Sequence, residues 1–85
     1  MTVTILYFAS LREALGVDSE YVSLPAGVNS AGHLRAWLRE RGSPWAEALG
    51  EGGAVRMAVN RVMANDDTLV PGGAEVAFFP PVTGG

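Results

Sequence analysis

Neither cysteine nor lysine occurs in the 85 residues, and histidine occurs once, at His33. Without cysteine there is no disulfide framework, no thiolate nucleophile and no cysteine-ligated zinc or iron–sulfur site. His33 lacks the second histidine or carboxylate constellation that a metal site or catalytic triad needs, so it is read as an exposed helix residue. All six basic residues are arginines (Arg12, Arg35, Arg39, Arg41, Arg56, Arg61), set against nine acids for a net charge of −3. A net acidic chain is a poor partner for phosphate backbones, so nucleic-acid binding is not expected. Nor can a lysine side chain of this chain be modified. No apolar run approaches the roughly 18 residues of a membrane span, and Met1-Thr2-Val3-Thr4 has no basic signal-peptide start, so no membrane partner and a cytoplasmic location are expected. A domain of this size musters only on the order of 4 to 13 kcal/mol of stability. Little of that can be spent on a buried polar centre, and an enzyme acting alone is not expected.

What is present is mostly apolar, at 48% of the residues, and it is patterned. Thr2 to Ala9 is rich in β-branched and aromatic residues and reads as an inner strand. Ser10 and Glu13 have capping-box spacing for a short helix, Ser10 to Leu15, with Gly16 as its left-handed stop. Glu20 to Leu24 alternates as a second strand, closed by Pro25-Ala26-Gly27. Asn29 or Ser30 can cap a main helix, about Ala31 to Arg41, whose apolar stripe is Leu34, Trp37 and Leu38. After Gly42, Pro44 opens a helical turn carrying Trp45 and Leu49, and Gly50 to Gly53 reads as a surface loop. Val55 to Val59 and Val62 to Ala64 flank Asn60-Arg61 as a tight hairpin. Pro71-Gly72-Gly73 turns the chain into a last strand, Glu75 to Phe79. The first and last strands are the most apolar and are expected to be central, parallel neighbours. One α+β sheet of about five strands, with the main helix across one face, hides the helix stripe most simply.

Few residues could carry chemistry. Asp66-Asp67 is the one adjacent acidic pair, and before Thr68 it reads as turn chemistry. Arg35 and Arg39 share a helix face and read as solvated surface. Phe78-Phe79 is more informative, because neighbouring strand residues face opposite sides of a sheet. If Val76 and Phe78 face the helix, Phe79 shares the outer face with Leu6 and Phe8, and with Met63 these form an apolar patch suited to a protein interface. Directly after it come Pro80-Pro81-Val82-Thr83-Gly84-Gly85. Two prolines favour an extended exit, and glycines without a β-carbon can thread a narrow channel. The expected organisation is a domain over residues 1–79 and a tail over residues 80–85, with the terminal carboxylate as the one reactive group.

Tyr7-Phe8-Ala9, Arg12-Glu13, Ala58-Val59-Asn60 and above all the run from Glu75 through Phe78-Phe79-Pro80-Pro81-Val82-Thr83-Gly84-Gly85 resemble the MoaD-type small subunits of molybdopterin synthase. The resemblance covers the whole chain and implies a ubiquitin-like β-grasp fold. It implies that Gly85 is adenylated by a ubiquitin-activating-type adenylyltransferase using ATP, receives sulfur from a donor enzyme as a thiocarboxylate, and donates it to cyclic pyranopterin monophosphate. The tail residues Pro80, Pro81, Val82, Thr83 and Gly84 would then insert into the large subunit, in an assembly of two small and two large subunits, with Leu6, Phe8, Met63 and Phe79 at the interface. No cofactor or metal is expected on this chain. Pro71-Gly72-Gly73-Ala74-Glu75 departs from the acidic Gly-Asp-Glu turn common in such carriers. Carriers for thiazole synthesis or tRNA thiolation share the fold and the Gly-Gly end, and a ubiquitin-like module that handles no sulfur is a further alternative; Phe78-Phe79-Pro80-Pro81-Val82 favours the molybdopterin branch.

Overall fold

The computed structural model describes residues 1–50 and 54–81, and their centre is a parallel pair of strands. Strand β1 (Thr2–Tyr7) lies beside β5 (Glu75–Phe79), with Ile5 opposite Val76 and Tyr7 opposite Phe78. Antiparallel strands complete the sheet: β2 (Ser19–Ser23) outside β1, and β3 (Arg56–Val59) then β4 (Val62–Ala64) outside β5, in the order β2-β1-β5-β3-β4. The two most apolar strands are thus central, as their composition requires. The helices are α1 (Ala9–Leu15), α2 (Ala31–Arg39) and α3 (Trp45–Ala48). None among the described residues is long and apolar enough to cross a membrane.

Alternation along the strands decides the layers. Val3, Ile5, Tyr7, Met57, Val59, Val76 and Phe78 turn to one face and meet Leu34 and Leu38 of α2, with Leu11, Leu15 and Leu49 completing the core. Tyr7 and Phe78, opposite each other in register, stack with ring centroids 6.1 Å apart. Trp37 belongs to the helix stripe by spacing and is half-buried: it packs against the core, with the Arg41 guanidinium 5.7 Å from its ring centroid.

Several local expectations are met and several are corrected. Ser30 caps α2 by accepting from the His33 amide at 3.2 Å. Gly16 closes α1 at φ 76°, and the hairpin turns through Asn60 and Arg61 at φ 49° and 69°, the paired positive φ of a type I′ turn. The Ser10–Glu13 capping box does not form. Strand β1 stops at Tyr7, and with Ala9 in the left-handed region at φ 53° the helix starts at once, so Ser10 is already inside it. Phe8 holds the cap position with no side-chain bond; its N–H donates to the Phe78 carbonyl and its own carbonyl accepts from Leu11. Helix α2 ends at Arg39, with Glu40 as its cap, two residues short of the expected end.

The loop after β4 is fastened to the start of α2. The amides of Ala31 and Gly32 donate to the carbonyls of Thr68 and Asp66 at 2.8 and 2.9 Å. Gly32 is needed for that approach, since a β-carbon there would stand 2.8 Å from the Asp66 Cβ and 3.0 Å from its carbonyl oxygen. Residues 51–53 of the expected loop lie outside the described residues.

Candidate docking face and tail exit

The helices cover one side of the sheet and leave the other open, and strand register places the open side's residues in rows. Leu6 stands opposite Ala77, Ala77 opposite Ala58, and Ala58 opposite Met63. One apolar row therefore crosses the four strands from β1 to β4, with two small alanines between larger side chains. The next row places Phe79 opposite Arg56, and Phe8 follows Leu6 beyond the end of β1, its amide bonded to the Phe78 carbonyl. Phe8 and Met63 are 46% and 58% exposed, while Leu6 and Phe79 are half-buried. A contiguous exposed apolar surface of this kind is the usual mark of a protein contact.

The other half of the open side is polar. There Thr2 and Tyr21 share a hydrogen bond of 3.0 Å between their hydroxyls, and Arg61 sits 3.8 Å from the Glu75 carboxylate. The apolar half is the half nearest the end of β5, so the chain leaves the sheet where the patch lies. Pro80 and Pro81 continue from Phe79 and are half-buried. Val82, Thr83, Gly84 and Gly85 lie outside the described residues.

A part-buried network behind the sheet holds this end in place. The Tyr7 hydroxyl donates to Glu20 Oε2 at 2.7 Å and accepts from the Trp45 indole N–H at 3.1 Å. Arg41 donates to both Glu20 oxygens at 2.9 Å, and its guanidinium lies 4.9 Å from the centroid of Trp45 and 5.7 Å from that of Trp37. Burial pushes the Tyr7 phenol well above its ordinary range, with Glu20 adding to the rise against the Trp45 hydrogen bond. Burial also pushes the Glu20 carboxyl up, but hydrogen bonds from Arg41 and Tyr7, together with the Arg41 charge, outweigh it and hold the group below the usual glutamate range. The hydrogen bonds to Glu20 raise the Arg41 guanidinium further. These groups bind β1, edge strand β2 and the α2–α3 corner together. With Tyr7 fixed on the covered side, the next residue, Phe8, is turned to the open one.

The remaining candidates fall elsewhere. His33 is exposed, its Nδ1 3.3 Å from Asn29 Oδ1. Asp66 and Asp67 are exposed in the turn after β4, where Asn65 Oδ1 accepts from the Asp67 amide at 2.9 Å. Among the described residues no three His, Asp or Glu side chains gather into a metal site. Arg35 corrects an expectation: it is half-buried, and its Nε and Nη2 donate to the carbonyls of Leu49 and Gly50, each at 2.7 Å. It satisfies the orphan carbonyls behind α3 rather than facing solvent. Arg39 is likewise half-buried. Sequence spacing had no means of finding the setting of Arg35 or the Tyr7–Glu20–Arg41 network, since their members are 13 or more residues apart and meet only through the fold.

Comparison with known proteins agrees with this geometry. Residues 5–85 match the ThiS family. The molybdopterin synthase sulfur carrier subunit of Haemophilus influenzae is 40% identical over 83 residues, covering 98% of this chain and 99% of that protein. In the crystal structure of SAMP1 from Haloferax volcanii the same fold superposes with a TM-score of 0.75 at 26% identity, covering 100% of each chain. A complex of subunits 1 and 2 of the molybdopterin-converting factor from Helicobacter pylori contains a chain with a TM-score of 0.67 at 24% identity and 100% coverage of both. The fold is the ubiquitin-like β-grasp.

Proposed function

The chain belongs to the ThiS family, and on that premise we propose that it is a sulfur-carrier subunit of molybdopterin synthase whose reactive group is the Gly85 carboxylate. The observation that carries the reading is the continuity of patch and tail. Strand β5 contributes Ala77 and Phe79 to the open apolar face and runs straight into Pro80-Pro81, so a protein that covers the face is positioned to receive the tail. The 40% identity to a molybdopterin synthase sulfur carrier subunit supports the same reading, as does the β-grasp neighbour solved in a two-subunit complex.

Chemistry follows from the poor electrophilicity of a carboxylate. A Gly85 oxygen attacks the α-phosphorus of ATP on an activating adenylyltransferase, and pyrophosphate leaves. A persulfide on the donor enzyme then attacks the acyl carbon and AMP leaves with the original oxygen; a thiol attacks the donor-side sulfur of the resulting acyl disulfide, so the S–S bond breaks, the donor departs as a disulfide and the Gly85 thiocarboxylate is released. That group is anionic near neutral pH and a good sulfur nucleophile. Inside the large subunit, two carriers in turn give two sulfurs to cyclic pyranopterin monophosphate and return to carboxylates. In this reading residues 1–79 form the domain, residues 80–85 the inserted tail, and Leu6, Phe8, Met63 and Phe79 the contact with the large subunit. ATP belongs to the activating enzyme, catalytic side chains belong to the partners, and this chain holds no cofactor.

Reconstitution tests this. The thiocarboxylated chain, mixed with a molybdopterin synthase large subunit and the pterin precursor, is expected to yield molybdopterin, and a chain lacking Gly84-Gly85 is expected to bind the large subunit yet yield none. Equal product from the truncated chain would refute the assignment. Transfer of sulfur only to a thiazole or tRNA system would move the chain to another branch of sulfur carriers.

A further inference from the structure

We infer that Met63 is an oxidation-sensitive contact, a site at which a hydroperoxide weakens the docking of this chain to the large subunit. The inference rests on the docking reading of the open face and adds a modification site to it. Three methionines occupy three different settings. Met57 is 4% exposed in the core, Met63 is 58% exposed on the open face, and Met1 is 46% exposed at the opposite end of β1, its side chain near Gly72. Cysteine is absent. The thioethers are therefore the softest nucleophiles among the side chains, and accessibility ranks Met63 and Met1 far ahead of Met57.

Position separates the two accessible methionines. Met63 stands opposite Ala58 and closes the apolar row that runs through Ala77 to Leu6. A partner seated on that row must desolvate the Met63 side chain. Met1 lies beside the polar half, where its carbonyl accepts from the Leu24 amide and no part of the row is near. In the reaction, the thioether sulfur attacks the distal oxygen of the hydroperoxide, the O–O bond breaks and water or an alcohol leaves. Sulfur is oxidised by two electrons and the peroxide reduced by two. The product is a sulfoxide, a strong hydrogen-bond acceptor in place of a flexible apolar group. Burying that oxygen without a donor opposes docking, whereas the fold, which leaves Met63 in solvent, is unaffected.

The experiment treats the isolated chain with hydrogen peroxide, maps the added oxygen by fragmentation mass spectrometry and titrates each species with the large subunit. Fragmentation is essential, because oxygen added at Met63 and sulfur exchanged for oxygen at Gly85 change the nominal mass equally. Oxygen is expected on Met63 and Met1 and not on Met57. Affinity should fall about tenfold when Met63 is oxidised and stay unchanged when only Met1 is. The affinity of Met63→Leu, measured before and after peroxide, should be the same in both states whatever its starting value, and bound large subunit should shield Met63 but leave Met1 reactive. Persistent sensitivity in the Met63→Leu variant, or no shielding, would overturn the inference. If Phe79→Ala also leaves binding intact, the docking reading itself has failed; if it abolishes binding while Met63 oxidation does not matter, only this inference has.

Discussion

The two faces of the sheet are made by the same strands and differ in everything else. On the covered face Val3, Ile5, Tyr7, Val76 and Phe78 are at most 1% exposed and lock against α2. On the open face Leu6, Ala77 and Phe79 alternate with them along the same strands, and with Ala58 and Met63 they form a surface that no element of the chain covers among the described residues. A period-two pattern normally puts apolar residues on one side and polar ones on the other. Here half of the second side is apolar too. The first face holds the core, and in the proposed reading the second is the one that docks.

Adjacent residues give the sharpest way to break that comparison. Phe78→Ala removes a fully buried ring stacked on Tyr7 and should cost about 3 to 5 kcal/mol in denaturant unfolding. Phe79→Ala, one residue later, should cost under about 1 kcal/mol of stability while lowering affinity for the large subunit by about tenfold or more. Comparable losses of stability in the two variants would mean the faces are not divided in this way. Gly32→Ala comes between them: its new β-carbon meets the Asp66 Cβ at 2.8 Å, and a destabilisation of about 1 to 3 kcal/mol is expected without loss of docking by the folded fraction.

A smaller effect tests the network behind β1. Glu20 titrates lower folded than unfolded, so its contribution is present above an ordinary glutamate pKa of about 4.3 and is lost as pH falls through the depressed folded value. Tyr7 titrates higher folded, so its contribution is complete below about pH 10 and is lost as pH rises beyond it. Glu20→Gln should flatten the acid limb of the stability–pH curve, and an unchanged limb would assign it to other carboxylates. Smallest of all, removing Gly84-Gly85 should leave the melting temperature unchanged, and a marked drop would tie the tail to the core.

Much of this organisation is legible in residue order. The β-branched and aromatic content of strands one and five marks them as central, and Phe78-Phe79 announces that one ring must face outward whatever the topology. Gly16, Asn60 and Ser30 mark a helix stop, a hairpin and a cap through local backbone chemistry alone. Tertiary competition hides the rest. Ser10 and Glu13 have the spacing of a capping box, but the Phe8 amide is claimed by the Phe78 carbonyl across the sheet, and the helix begins earlier than local signals indicate. Arg35 looks like surface charge until the chain folds back and offers it two carbonyls. The polar groups at Tyr7 and Glu20 satisfy one another only because β1 and β2 pair and α3 brings up Trp45.

The central claim is that a cysteine-free domain carries sulfur on its backbone end, and one measurement addresses it directly. The chain is incubated with its activating adenylyltransferase, ATP and a sulfur donor, and fragmentation mass spectrometry locates any change. Replacement of one oxygen by sulfur in the fragment containing Gly85, dependent on ATP and absent from a chain lacking Gly84-Gly85, is the predicted result. An unmodified Gly85, under conditions in which a known molybdopterin synthase carrier is converted, would contradict the account.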